Sequence, residues 1–210
     1  MEKNGELLID RIINNLIMHT SISSDVGLYH GKMGIIIFFM HYARLTGEMQ
    51  YNNYAEDLLD DLINEISITL PINFEDGLSG IGWGIEYLLE NKFISGDSNE
   101  ILDELDNRIM QFDIRRIEDK SIKKGIKGLS FYIAKRISSS KANKTSMPFD
   151  RLFLSEWQSL CNYPIPSDND ILMDIMHPLP IGDNIFEWKL GLENGAAGWG
   201  LWNILHKESF

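Results

Sequence analysis

The chain has 210 residues, 44% hydrophobic and 24% charged, with a net charge of −12. That acidity argues against nucleic acid and anionic membrane as main partners, because phosphate would be repelled. One cysteine, Cys161, excludes an internal disulfide, and neither a signal-peptide pattern nor an apolar run near about 18 residues is present, so a soluble cytoplasmic protein is expected.

Helical spacing dominates from the start. Residues 3–20 place Leu7, Ile9, Ile12, Ile13, Leu16 and Ile17 on one face. A serine-rich break leads to His30-Gly31-Lys32-Met33-Gly34 and a helix over about 31–45, which Gly47 is suited to stop. The next helix is expected over 53–70. Asn53 with Glu56 is like a capping box, Ala55, Leu58, Leu59, Leu62, Ile63 and Ile66 form the apolar face, and Pro71 lies beyond. Asp76-Gly77-Leu78-Ser79-Gly80 opens a helix to about 92, and Asp97 with Glu100 repeats the capping logic for a helix over 98–112.

Lys124-Gly125-Ile126-Lys127-Gly128 opens a helix over about 125–138, and 138–148 reads as a polar loop. A helix over 149–161 should turn Phe149, Leu152, Phe153, Trp157 and Leu160 inward. The irregular segment 163–190 holds four of the six prolines and one short helix at 168–176. Asn194-Gly195-Ala196-Ala197-Gly198 then starts a last helix to about 207.

One pattern therefore recurs four times: a polar residue, Gly, two residues, Gly, and an apolar run. The copies start 46, 48 and 70 residues apart. A repeat of this period signals a stacked helical architecture, here a single domain over 1–210 with repeats near 27–70, 74–113, 122–162 and 190–207. Short connections make successive helices antiparallel, so the four glycine-started helices should point one way, as an inner layer with the others outside. Their starts would then gather on one rim, with unpaired N–H groups and with His30, Asp76, Lys124 and Asn194 around it. Such a rim suits a peptide or an anionic group. The alternative is that the glycines serve packing and the polar residues ordinary capping.

GLYHGKMGI, FEDGLSGIGWGIEYLL and GLENGAAGWGL resemble the inner-helix repeats of the lanthionine synthetase C-like family. The resemblance touches all four repeats and implies an all-α fold, an α/α toroid, partial or closed, of paired inner and outer helices, with Gly31, Gly34, Gly77, Gly80, Gly125, Gly128, Gly195 and Gly198 as its structural motif. It also implies a link to lanthipeptide biosynthesis, in which such enzymes add a Cys thiolate to a dehydrated Ser or Thr. The family's catalytic zinc is held by two Cys and one His, from a Cys-bearing turn and a Cys-His-Gly turn. This chain has one Cys, and its nearest echo is Tyr29-His30-Gly31, so no metal ligand set and no cofactor are expected. Family rings also use more inner helices than four. An open arc, closure with fewer helices, and completion by a second copy are the alternatives, and an open arc would call for a partner or a homo-oligomer.

The candidate residues divide accordingly. His30 could act as acid, base or peptide contact, or simply bond to backbone at a helix start. Glu75 and Asp76 are adjacent acids that could do acid/base work or carry capping charge. Trp83, Trp199 and Trp202 are core residues or, for Trp83 and Trp199, rim contacts for a peptide. His177 is a loop candidate or a structural residue before Pro178. His19, His41 and His206 look like helix-face residues, and Cys161 like a small packing residue.

The function expected is that of a zinc-free member that binds a precursor peptide or a modifying-enzyme partner, and is not itself a cyclase. The alternatives are an active cyclase that completes its site with another chain, and a glycan-acting toroid enzyme using Asp76 and Glu75, whose carboxyls would stand about 5–10 Å apart in a cleft. A plain helical scaffold is the fourth.

Overall fold

The computed structural model describes residues 2–21, 23–66, 69–176 and 187–207. Among these the regular structure is helical: α1 (Glu2–Thr20), α2 (Lys32–Thr46), α3 (Met49–Glu65), α4 (Leu78–Glu90), α5 (Ser98–Met110), a 3-10 turn (Ile114–Arg116), α6 (Ile126–Asn143), α7 (Arg151–Leu160), α8 (Asp168–Ile175) and α9 (Ala196–Lys207). No helix among the described residues is long and apolar enough to cross a membrane. The chain divides into two compact units, a terminal one (1–65 with 169–210) and a central one (66–168).

In the terminal unit α2 packs against α3 and α9, and α1 against α9. The run from Lys32 to His41 is buried throughout, as expected of a helix without a polar face. Lys32 is tolerated because its Nζ lies 2.7 Å from both carboxylate oxygens of Glu65. α3 buries one face only, through Ala55, Leu58, Leu59 and Leu62. In the central unit α4 packs on α6 and α5. α4 is buried from Leu78 to Leu88, whereas α5 turns Leu102, Leu105, Asp106 and Ile109 inward and Glu100, Asp103 and Glu104 outward. Enclosed α2 and α4 lie beside the amphipathic α3 and α5, in the all-α fold that was expected.

The repeated glycines have a local cause. The N-caps of α2, α4 and α6 are Gly31, Gly77 and Gly125, and none has a side-chain cap. The lead-in loop folds back over the helix start instead. In all four repeats the N–H after the first glycine donates to the carbonyl six residues before it: Lys32 to Asp25, Leu78 to Pro71, Ile126 to Asp119 and Ala196 to Lys189, at 2.8–2.9 Å. A Cβ on the second glycine would strike the same loop, 1.9 Å from the Ile122 carbonyl oxygen at Gly128 and 1.9 Å from that of Leu192 at Gly198.

Several expected boundaries shift. α3 starts at Met49, four residues before the expected cap, so Asn53 lies exposed within the helix. α6 runs on through the expected polar loop to Asn143 and stops at Lys144 in the left-handed region (φ 57°). The Ser140 hydroxyl accounts for the extension by donating to the Ser146 carbonyl at 2.8 Å, which folds the following chain back onto the helix. Leu152 points outward at 71% exposure, while Phe149 and Phe153, four residues apart, are buried. The Gly47 stop (φ 72°) and the Asp97 cap, which accepts the Asn99 N–H, are as expected.

Candidate functional site at the helix starts

Within each unit two glycine turns lie side by side. In the terminal unit the Tyr29 carbonyl accepts the N–H groups of Leu192 and Glu193 at 2.8 and 2.9 Å. In the central unit the Lys123 carbonyl accepts those of Phe74 and Glu75 at 2.9 and 3.0 Å. Each donor pair sits three and two residues before its glycine, and each acceptor two before its own. The helix starts of α2 and α9 are therefore neighbours, as are those of α4 and α6, and each pair runs in the same direction.

Side chains follow the same scheme. His30 Nε2 lies 3.4 Å from Glu193 Oε2. In the equivalent place Lys124 Nζ lies 3.7 Å from Glu75 Oε2, with Lys123 Nζ 3.3 Å from Oε1. In both units an acid two residues before a glycine is mostly buried, at 12–13% exposure, beside a more exposed base. Such pairs offer a polypeptide both a donor and an acceptor at a protein surface. Lys124 and Asn194 are exposed, Asn194 in the left-handed region (φ 51°). Asp76 is half-buried, and its Oδ1 accepts no hydrogen bond among the described residues.

The expectation of open N–H groups at the helix starts needs correction. The first N–H of each glycine-started helix is taken by its lead-in loop, and in α9 the first three are taken, by Lys189, Leu190 and Gly191. An anion would find fewer backbone donors there than four bare N-termini supply. Capping by the acids is no better supported, since the caps of α2, α4 and α6 have no side-chain bond.

The tryptophans separate. Trp83 is fully buried, stacked on Tyr87 at 5.4 Å with Phe74 at its edge, and is a core residue. Trp199 is half-buried, 6.3 Å from Trp188. Trp202 stacks on the exposed His206 at 3.9 Å. His19 and His206 bond to carbonyls one turn back, at Asn15 and Trp202, so both are helix-face residues. His41 is buried on α2, and burial, with the Arg44 charge, pulls its pKa down to about 4. His177 lies outside the described residues.

A zinc of the kind held by two thiolates and an imidazole does not fit these donors. Cys161 is the one thiol of the chain and closes α7, not a glycine turn. Two residues before the first glycine, where Tyr29-His30-Gly31 echoes the Cys-His-Gly turn, stand Tyr29, Glu75, Lys123 and Glu193. Sequence reasoning did not single out Glu193 and Lys123 as partners of the neighbouring turns. The recurrence of an acid at the same offset in FEDG and LENG was the available signal.

The profile of the family described as Lanthionine synthetase C-like protein matches residues 23–155, more than half of the chain. No curated protein matches it.

Proposed function

Since this chain belongs to the lanthionine synthetase C-like family, we propose that it serves ribosomal peptide modification as a zinc-free member that binds a precursor peptide or a modifying enzyme and does not close thioether rings. The observation that carries the reading is the donor set at the glycine turns, where acids and bases stand in place of thiolates. Thiolate activation by zinc needs three protein ligands and an open position, and Cys161 is a single thiol at the end of an amphipathic helix. The His30–Glu193 and Lys124–Glu75 pairs would then grip peptide amides and charged side chains. Trp199 would supply an apolar contact, and Asp76 and Asn194 further polar ones.

The test uses the purified 210-residue chain and a synthetic peptide carrying dehydrated Ser or Thr and a free Cys. Binding is measured by calorimetry, metal content by elemental analysis, and ring closure by loss of thiol alkylation. The reading expects binding, no stoichiometric zinc and full alkylation. Stoichiometric zinc, or loss of the thiol on incubation, counts against it.

A further inference from the structure

We propose that the central unit carries a second binding site, for a small carboxylate, in a cavity of about 470 Å³ where the ends of α4 and α6 meet the start of α5. That volume lies within the roughly 300–1,000 Å³ of pockets that take small molecules. Leu89 and Lys92 line it from the end of α4, Ser95 and Ser98 from the entry into α5, and Ser139 and Asn143 from the last turns of α6. These are the opposite ends of α4 and α6 from their glycine turns, so the site does not depend on the peptide reading above.

Hydrogen-bond donors are in surplus on this wall. Ser98 is 8% exposed, and its Oγ accepts Arg136 Nη1 at 3.0 Å. The same guanidinium also donates to Glu86, Asp106 and Asn99. The Ser98 proton itself has no acceptor among the described residues, and accepting from a cation makes a hydroxyl the stronger donor. The Lys92 ammonium has no partner among the described residues either, and the Ser139 hydroxyl is engaged only as an acceptor, by Asn143 at 3.4 Å. The lining carboxylates are already matched: Glu90 bonds to Lys135, and Asp97 accepts the Asn99 N–H.

The backbone points to the same place. Among the described residues, three that are not glycine have positive φ: Lys92 (56°), Lys144 (57°) and Asn194 (51°). Lys92 lines the cavity, and Lys144 stands between Asn143 and Thr145, which also line it. A side chain strains the left-handed conformation, whereas glycine adopts it freely. Where α2 needs only a stop, the chain uses Gly47. Keeping a lysine at the end of α4 accepts that strain and sets an ammonium at the cavity. A carboxylate supplies what the wall lacks: a negative charge for Lys92, and oxygens for the Ser98 and Ser139 protons. Leu89, Ile94 and Ala142 offer apolar surface to its carbon skeleton.

The test is an NMR titration of the whole chain with butyrate and with butyramide, which has the same shape without the charge. Butyrate should shift the amides of residues 95–99 and 139–145 saturably, and butyramide should not. Lys92→Gln and Ser98→Ala should each weaken butyrate about tenfold. Because Ser98→Ala also removes an acceptor of Arg136, Lys92→Gly carries the decision. It relaxes the backbone, so the urea midpoint should rise while butyrate affinity falls about tenfold. Unchanged affinity in Lys92→Gly, equal shifts with butyramide, or no saturable shift with butyrate overturns the proposal. Trialanine and its C-terminal amide form a second pair. Binding of the acid form alone assigns the carboxylate to a peptide end, and binding of butyrate without trialanine assigns it to a free small acid; both support the site.

Discussion

In the terminal unit a Cβ on Gly200 would strike the Phe38 ring at 2.4 Å, and in the central unit a Cβ on Gly82 would strike the Tyr132 ring at 2.5 Å. Both glycines stand five residues after the first glycine of their repeat, and both aromatics seven after theirs. The lead-in hydrogen bonds, the shared carbonyl and the acid–base pair at the helix starts recur with the same offsets. Deeper in, the two units part. Glu86 and Ile204 hold equivalent positions, as do Arg136 and Tyr42. The central unit fills its helix pair with a charged cluster, whereas the terminal unit stacks Phe38 on Tyr42 and sets Phe39 edge-on to Tyr54. The glycine pattern thus dictates how two helices and their loops meet, and leaves the chemistry between them free to vary.

That contrast can be broken from either side. Arg136→Met should be the most damaging change, costing about 3–5 kcal/mol, because two buried carboxyls lose the cation to which both are bonded. Hydrogen exchange should quicken in α4 and α6 more than in α2 and α9. Next is the acid response of the terminal unit. His41 titrates at about 4 in the fold against an ordinary 6.5. Above 6.5 it is neutral folded or unfolded, and between 6.5 and 4 only the unfolded chain takes up the proton. Stability should fall by about 3 kcal/mol as pH drops through that window, and His41→Leu should flatten the fall in a denaturant series.

Gly128→Ala and Gly198→Ala probe what the units share. Each new methyl group meets backbone of its own lead-in loop, and each should cost about 1–3 kcal/mol in thermal or urea unfolding. Gly47→Ala is the mild control. Nothing lies within 4 Å of its Cβ position and only the positive φ resists, so about 1–2 kcal/mol is expected.

The sequence already carried the all-α fold, most helix bounds and the pairing of enclosed with amphipathic helices, since glycine spacing and apolar period report backbone and burial directly. Asn53 misled because its local cap signal lost to a helix that begins after Gly47. Leu152 misled because periodicity in a ten-residue helix is set by where the helix starts, and Asp150 caps it one residue before Arg151. The charged cluster was hidden because Glu86, Asp106 and Arg136 are far apart in the chain, and only packing joins them. Glu86 inside GIGWGIEYLL was the one hint, an acid in an otherwise apolar run. The helix-start pairs were half legible: His30, Glu75, Asp76, Lys124 and Asn194 could be named, while the pairing of His30 with Glu193 and of Glu75 with Lys124 depends on turns meeting in space.

Calorimetric titration with a dehydrated, Cys-containing peptide, comparing the parent chain with Glu193→Gln and Glu75→Gln, bears most directly on the proposal that these turns hold peptide. Binding by the parent, weaker binding by both variants and unchanged thiol content of the recovered peptide are predicted. Equal binding by all three proteins, or a peptide returned with its thiol consumed, would contradict it.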